Sequence, residues 1–333
     1  MPASNANQVR PPNTASTFLG QLRLPVIAAP MFLVSGPDIV VAAHQAGIVG
    51  SFPTPNCRST QELDRWLTDI SRRIANSPSS VWRPPWAVNL VVHRANPRLQ
   101  DDLSVVVEHR VPLVIASVGA PDAVIDAVHA YGGRVICDVA SLRHARRAVD
   151  AGVDGLVLLT SGAGGQEGSA NPFAFVRAVR RFYDGVIALG GCIADGASIL
   201  AARILGADVA YIGTGFIVAT ESMAQSRYRQ MVVDSTMDDV LRTNAVTGLN
   251  ANLLRPSFLA AGIDPDSLKA HAPGDITKHL DPDLQEKRWK EIWAAGQGVT
   301  LVDRIAPVSD IVLSLENEYR AAMTASTRFS QTT

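Results

Sequence analysis

The sequence predicts an α/β protein, a (β/α)8 TIM barrel with a helical insertion after the eighth strand. Two observations support this fold class. Eight short apolar runs, each typical of a buried parallel strand, recur along the chain with a helix-like segment between neighbours. Eight such units within about 190 residues suit a closed barrel better than a doubly wound sheet.

The elements follow in chain order from their apolar content and from the residues that end them. The predicted strands are residues 26–29, 48–52, 86–91, 113–117, 134–138, 155–159, 186–189 and 209–213. Residues 38–47 are expected to form a helix that ends at Gly47, because glycine suits the left-handed turn after a helix. A similar pattern predicts a helix over 142–152, and the last helix is expected over 305–323.

A doubly wound sheet stays open as an alternative topology. Sheets of that kind that bind dinucleotides carry a GxGxxG fingerprint after the first strand. The first predicted strand here ends in Ala29, Pro30 and Met31 instead. The barrel is therefore the favoured topology.

The pattern also predicts how the chain is divided. Residues 1–17 are polar and lack the apolar centre of a signal peptide, so we expect a disordered lead-in. The barrel is expected over 18–218 and 301–325, and 219–300 is expected to be a helical lid without convincing strands. The two tryptophans of that insertion, Trp289 and Trp293, fit a lid over the barrel mouth or an oligomer interface.

Composition narrows the classes of partner. The formal net charge is −1, so there is no electrostatic reason to expect nucleic acid or an anionic membrane. No apolar run approaches the ~20 residues that cross a bilayer. The cysteines Cys57, Cys137 and Cys192 are odd in number and lack CxxC spacing, which argues against a zinc site or a disulfide framework. A cytoplasmic protein is the expectation, and a homodimer is left open.

Glycine-rich turns follow the last three predicted strands. The loop 160–168 carries four glycines, where a backbone without Cβ atoms can approach a flat or anionic ligand. Gly190 and Gly191, and then Gly213 and Thr214, follow strands seven and eight, where barrels often bind phosphate. Tight packing turns are the simpler explanation for these glycines, and the preceding glycine loop favours a ligand.

An ordered set of motifs resembles the nitronate monooxygenase family, formerly called 2-nitropropane dioxygenase, whose members are FMN-dependent barrel enzymes. The resemblance covers roughly residues 20–320. The motifs are Ala28-Ala29-Pro30-Met31, Val88-Asn89-Leu90, Ala163-Gly164-Gly165-Gln166-Glu167-Gly168, Gly190-Gly191-Cys192-Ile193-Ala194-Asp195-Gly196, Gly206-Ala207-Asp208 and Gly213-Thr214.

The resemblance implies FMN as cofactor and assigns residues to it. Ala29, Pro30 and Met31 would lie against the isoalloxazine ring, and Asn89 would reach the ring or the substrate. The remaining cofactor-binding positions that the resemblance implies are Asp138, Gly164, Gly165, Gly190, Gly191, Gly213 and Thr214.

Three departures from the family pattern bear on chemistry. Gln166 stands where many members carry a histidine taken as the base, and glutamine cannot titrate. Gly215 stands where the familiar version has arginine, and Asp138 stands where some members have lysine. His93, two residues past the third strand, is a candidate for the missing base, although a loop histidine on the rim is the commoner case.

The resemblance implies an oxidoreductase that converts alkyl nitronates with O2 to a carbonyl compound and nitrite. A nitronate is already an anion, so this reaction needs no protein base and Gln166 does not exclude it. The alternative is an NAD(P)H-dependent FMN reductase of quinones or enoyl thioesters, since the family also contains such enzymes. A flavin-binding barrel without turnover is a third hypothesis.

Overall fold

The computed structural model describes residues 21–77, 82–246, 248–269 and 291–329, and its centre is a closed eight-stranded barrel in which every pair of neighbouring strands is parallel. The expected (β/α)8 barrel is thus confirmed. Its strands are β1 (Val26–Ala28), β2 (Val49–Pro53), β3 (Ala87–Val91), β4 (Leu113–Ser117), β5 (Arg134–Val139), β6 (Gly155–Leu159), β8 (Val186–Gly190) and β9 (Val209–Ile212).

Helices pack around the barrel and in the insertion. They are α1 (Pro37–Gln45), α2 (Thr60–Ala75), α3 (Leu99–Glu108), α4 (Asp122–Ala130), α5 (Leu142–Asp150), α6 (Pro172–Val179), α7 (Gly196–Leu205), α8 (Thr214–Ile217), α9 (Ser226–Asp234), α10 (Arg255–Ala260) and α11 (Val308–Phe329). In α2, Leu63, Leu67 and Ile70 are buried at helical spacing, and the Ser59 side chain caps the first turn by accepting from the Glu62 amide. The final helix α11 begins and ends a few residues later than expected and packs on α7 and α1.

Side chains of the strands alternate between the helices and the barrel interior. One apolar cluster fills the interior: Ile27, Ala29, Val49, Ala87, Leu113, Ile115, Ile136, Val157, Val186, Ala188, Val209 and Tyr211. Each residue two positions further along a strand faces the same way. The alternation therefore turns Asn89, Asp138 and Gly190 toward the interior at the carboxyl ends of β3, β5 and β8.

The insertion after β9 contains a small sheet that the sequence did not predict. Strands β10 (Val240–Thr243) and β11 (Ala251–Leu254) pair antiparallel, and β11 also pairs with β7 (Gly165–Gln166) from the loop after β6. The expectation of an insertion without strands was wrong. The strands are short, and β7 is a Gly-Gln dipeptide whose partner lies more than 80 residues away, so no local pattern marks the pairing.

A second apolar cluster holds the insertion to the barrel. Trp293 is only 5% exposed and stacks on Tyr228, with ring centroids 5.0 Å apart. Leu254 is fully buried and donates its amide hydrogen to the Trp293 carbonyl oxygen. Trp293 is therefore a core residue of its own chain and is not available to an oligomer interface. Trp289 and the polar lead-in 1–17 lie outside the described residues.

Within the part of the chain that the structure describes, no helix is long and apolar enough to cross a membrane.

Candidate active site at the carboxyl end of the barrel

Small and polar residues surround the open end of the barrel interior, where parallel barrels place their active sites. Ala29 lies there in the loop after β1, Asn89 on β3 and Asp138 on β5. Gly190 is the last residue of β8, and Gly213 directly follows β9. The strands thus bring these sequence-predicted residues to one end of the molecule.

The loop after β1 is held by a residue that sequence reasoning missed. Asn56 donates from its amide nitrogen to the carbonyl oxygens of Met31 and Ser35, at 3.0 and 2.7 Å, and accepts from the Leu33 amide at 2.8 Å. The Met31 amide donates to the Ser35 hydroxyl at 3.0 Å. Asn56 thereby fixes the backbone conformation of the loop that carries Pro30 and Met31. Its place in a short 3-10 turn after β2 gives no sequence signal for this role.

Asn89 is buried, and no hydrogen bond among the described residues uses its side-chain carbonyl oxygen. Its amide nitrogen donates to the Ile115 carbonyl oxygen at 2.9 Å and to the Ser117 hydroxyl at 2.8 Å. Both partners belong to β4, so the side chain also ties β3 to β4. Asn89 therefore has a structural role, and its contact with a cofactor stays a prediction.

Asp138 is the carboxyl group at this end of the barrel whose pKa is shifted most. The residue as a whole is half-buried, but its Oδ1 is closed off from solvent and has no hydrogen-bond partner among the described residues. Burial raises the pKa of Asp138 to about 7, because the interior disfavours the charged form. At neutral pH this carboxyl group is divided between its neutral and ionised forms.

The turns after β8 and β9 offer backbone donors for an anion. The amides of Gly191 and Gly213 donate to no acceptor among the described residues. Gly191 has φ of +120°, and a Cβ there would lie 2.4 Å from the Thr160 hydroxyl oxygen, so the turn requires glycine. A Cβ on Gly213 would meet no protein atom nearer than the Met31 sulfur at 3.6 Å. The protein thus leaves open space beside Gly213, whereas Gly191 is closely packed.

The start of α7, directly after the β8 turn, already has acceptors within the protein. The Asp195 carboxylate caps this helix by accepting from the Ser198 amide at 2.7 Å. The Gly196 amide donates to the Glu318 carboxylate at 2.9 Å. Protein carboxylates therefore already occupy two of the donors at this helix N-terminus.

The last part of the insertion packs directly against the glycine loop that follows β6. Gly296 donates its amide hydrogen to the Thr214 hydroxyl oxygen at 2.9 Å, and Gln297 donates to the Gly162 carbonyl oxygen at 2.9 Å. A Cβ on Gly164 would lie 2.7 Å from the Gly296 nitrogen. Part of the glycine content of loop 160–168 is thus explained by this backbone packing. Cofactor contacts by Gly164 and Thr214 stay predictions.

Gln166 lies in the miniature sheet and is half-buried at the edge of this loop. Its backbone pairs with Ala251, and Gly165 pairs with Asn252. Gly165 has φ of +67°, and a Cβ there would meet no protein atom within 4 Å. The left-handed backbone at position 165 requires glycine. The sequence had suggested a different reason, the close approach of the backbone to a ligand. The pairing with β11 of the insertion therefore fixes the backbone position of Gln166, from which its side chain extends.

Glu167 joins the loop to the insertion, a role that sequence reasoning missed. Its side chain is only 1% exposed and forms an ion pair with Arg242 of β10. The carboxylate accepts from the Gly162 amide and from the Asn252 side chain, each at 2.7 Å. A buried charge needs such partners. An acidic residue inside a glycine-rich segment was the available signal.

His93 lies on the loop after β3 and is half-buried. Its Nδ1 accepts a hydrogen bond from the Ala95 amide at 3.2 Å, which is a contact within its own loop. None of the contacts found for the described residues joins His93 to Gln166. The role of His93 as a replacement base stays a prediction.

Two cavities lie near these elements in the described part of the chain. One of about 210 Å³ lies between the β6 loop and the insertion, beside Ser161, Glu167, Arg242 and Gln297. A larger one of about 570 Å³ lies on the outer surface between α1 and α2. The smaller cavity adjoins the loop of Gln166, and the larger one has no residue in common with the barrel mouth.

Comparison with known proteins decides the family. The profile of the nitronate monooxygenases matches residues 84–318. A nitronate monooxygenase of Paraburkholderia phytofirmans is 30% identical over 343 aligned positions, which cover 90% of this chain and 93% of that protein. A nitronate monooxygenase of Pseudomonas aeruginosa is 28% identical, with 91% and 98% covered.

This chain belongs to the nitronate monooxygenase family. It is therefore an enzyme of a flavin-dependent monooxygenase family, as the motifs suggested. Two solved structures share its fold. FabK of Thermotoga maritima has a TM-score of 0.79 at 23% identity, covering 97% of this chain and all of that one. A nitroalkane oxidase of Streptomyces ansochromogenes has a TM-score of 0.77 at 22% identity, with 93% and 99% covered.

The residues at the barrel mouth fit a flavin. Among the described residues, Gly213 leaves open space, no acceptor takes the amides of Gly191 and Gly213, and no hydrogen-bond partner reaches the buried Oδ1 of Asp138. The family arginine is absent at Gly215, so any phosphate site here depends more on backbone amides.

Proposed function

We propose that the protein is an FMN-dependent nitronate monooxygenase that oxidises alkyl nitronates with O2 to a carbonyl compound and nitrite. Family membership supports a flavin and the chemistry. The available amides of Gly191 and Gly213 support FMN in particular, because they suit one terminal phosphate. This pair of amides is the observation that carries the cofactor assignment. When bound, the flavin would act as the electron acceptor.

The protein residues would bind and orient the reactants. The loop fixed by Asn56 would present Pro30 and Met31 to one face of the ring, and the carbonyl oxygen of Asn89 would accept from the ring or the substrate. The Gln166 amide would orient the nitro group of the substrate through hydrogen bonds. A nitronate brings its negative charge with it, so Gln166 has no proton to remove.

The insertion would exclude water from the reacting atoms. Its sheet joins the Gln166 strand through β11, and Gly296 closes on Thr214 at the end of β9. Exclusion of water strengthens the polar contacts to an anionic substrate. We further propose a cytoplasmic location and leave a homodimer open as the assembly.

The test combines cofactor identity with turnover. Mass spectrometry of the released chromophore should find FMN, and the FMN-loaded protein should consume O2 and form nitrite from propyl-2-nitronate. Adenine-containing flavin, or no flavin after saturation, would overturn the FMN assignment. Rapid NADH oxidation with a quinone or an enoyl thioester, without nitrite from the nitronate, would instead identify the reductase alternative.

A further inference from the structure

Among the described residues, no positively charged side chain pairs with the carboxyl group of Asp138 at the barrel mouth. It faces the interior at the carboxyl end of β5, and Oδ1 is buried without a hydrogen-bond donor among the described residues. An ionised carboxylate can only accept hydrogen bonds, and a buried acceptor without a donor is costly. A neutral carboxylic acid loses much less in this place and gains an O–H donor.

The neighbouring elements offer no positive charge to Asp138. The interior-facing residues of β4 and β6 at this level are Ile115, Ser117, Val157 and Leu159, which do not carry charge. The Asp138 charge acts on two titratable groups, the Tyr211 phenol of β9 and the Cys137 thiol of β5, and raises the pKa of both. Burial raises the pKa of Cys137 to about 12 and that of Tyr211 well above its ordinary value, so both stay neutral.

The helices behind β5 do not change this balance. Helices α4 and α5 pack on the outer face of the strand, opposite to the Asp138 side chain. The Asp122 carboxylate of α4 acts on the Cys137 thiol and raises its pKa further. Burial is the cause of the raised pKa of Asp138.

We propose that Asp138 acts as a neutral carboxylic acid that donates its O–H hydrogen bond to an acceptor atom on the polar edge of the bound flavin. This inference rests on the proposed function, because the flavin is the ligand it invokes. Ionisation of Asp138 removes the donor and places a negative charge beside an anionic cofactor and an anionic substrate. Flavin affinity is thereby linked to the protonation of this one side chain.

Titration of FMN into the cofactor-free protein tests the linkage. The dissociation constant is measured from quenching of flavin fluorescence between about pH 5.5 and about pH 8.5, a range that brackets the pKa of about 7 for Asp138. Asp138→Asn keeps an N–H donor and cannot ionise. Asp154→Asn is the matched control, because Asp154 is a carboxylate paired with His129 and Arg134 at the amino end of β5.

The expected result is specific to Asp138. In the native protein and in Asp154→Asn, the dissociation constant for FMN should rise as pH increases, approaching about tenfold per pH unit above the pKa. In Asp138→Asn it should stay nearly constant. An equal rise in all three proteins would overturn the inference and leave the FMN assignment intact.

An infrared measurement on the cofactor-free protein keeps this inference separate from the proposed function. Near pH 6 the native protein should show the C=O band of a protonated carboxylic acid that disappears at alkaline pH and is missing in Asp138→Asn. Failure to bind FMN, with that band present, would contradict the cofactor assignment and leave the protonated carboxyl. Absence of the band would overturn the inference itself.

Discussion

Asn252 of the insertion donates a hydrogen bond to the buried Glu167 carboxylate at 2.7 Å, and the same amide group donates to the Ala163 carbonyl oxygen at 2.7 Å. The two residues are 85 positions apart in sequence. They join the glycine loop after β6 to the small sheet of the insertion. The residue before Glu167 is Gln166, the proposed contact to substrate, so the position of Gln166 depends on this junction.

Glu167→Gln should lower turnover more than it lowers flavin affinity. The substitution keeps the size of the side chain but removes an acceptor from the Gly162 and Asn252 donors and the charge that faces Arg242. We expect a loss of about 1–3 kcal/mol in the free energy of unfolding, together with a lower kcat. Steady-state kinetics and FMN titration measure the two effects.

Glu316→Gln is the matched control for that experiment. Glu316 is also a buried carboxylate with two arginine partners, Arg23 and Arg320, but it lies on α11 and contacts the segment before β1. A similar loss of stability with unchanged kcat is expected. If both variants lost turnover equally, the junction would have no special role in positioning Gln166.

Gly165→Ala should impair activity through the backbone. An added Cβ meets no protein atom within 4 Å, but alanine at φ of +67° costs about 1–2 kcal/mol. Relief of that strain would shift the pairing of Gln166 with Ala251. Gly132→Ala is the control, since Gly132 also has a positive φ and open space but lies in the loop between α4 and β5. Kinetic parameters unaffected in both variants would contradict the prediction.

Gln166→Ala should slow oxidation of a preformed nitronate without abolishing flavin binding. The amide orients the substrate and does not titrate, so the native rate should show no pH break attributable to this side chain. Gln166→His should raise activity on neutral nitroalkanes, because histidine can remove an α-proton. Stopped-flow assays with nitronate and with nitroalkane separate these effects. Unchanged kinetics on every substrate would remove Gln166 from the site.

Asp138→Asn should change the pH dependence of stability in the cofactor-free protein. The pKa of Asp138 is raised from 3.8 to about 7 on folding, so the unfolded chain loses this proton at lower pH than the folded chain does. Native stability therefore declines as pH rises from about 4 to about 7, by about 1.4 kcal/mol for each pKa unit at most. The variant lacks this decline.

The stability difference between the native protein and Asp138→Asn is the quantity to measure. Urea unfolding at pH 5 and pH 8 should show the variant gaining relative to the native protein at the higher pH by a few kcal/mol at most. A difference that is the same at both pH values would show that the carboxyl group does not titrate in this range.

The sequence anticipated the barrel because its strands are continuous apolar runs with local signals. Residues 113–117 and 155–159 coincide with β4 and β6, and the boundaries of the other strands differ by at most one residue. Glycines at strand ends also pointed to the barrel mouth. These features depend on residues that are neighbours in sequence.

The features that the sequence did not show are contacts between distant segments. Strand β7 has only two residues, and its pairing with β11 gives no hydrophobic alternation. The bonds of Asn56 to Met31 and of Glu167 to Asn252 join polar side chains to remote partners. A single sequence does not record such pairs, so their roles required the structure.

Anaerobic mixing of the FMN-loaded protein with propyl-2-nitronate is the direct test of whether the bound flavin oxidises a nitronate. The proposed function predicts that the nitronate changes the visible absorption spectrum of the bound flavin within the turnover time, and that admission of O2 restores the oxidised spectrum with release of nitrite. NADH in place of the nitronate should leave the spectrum unchanged on that timescale. Rapid bleaching by NADH, together with an unaltered spectrum after nitronate, would contradict the account.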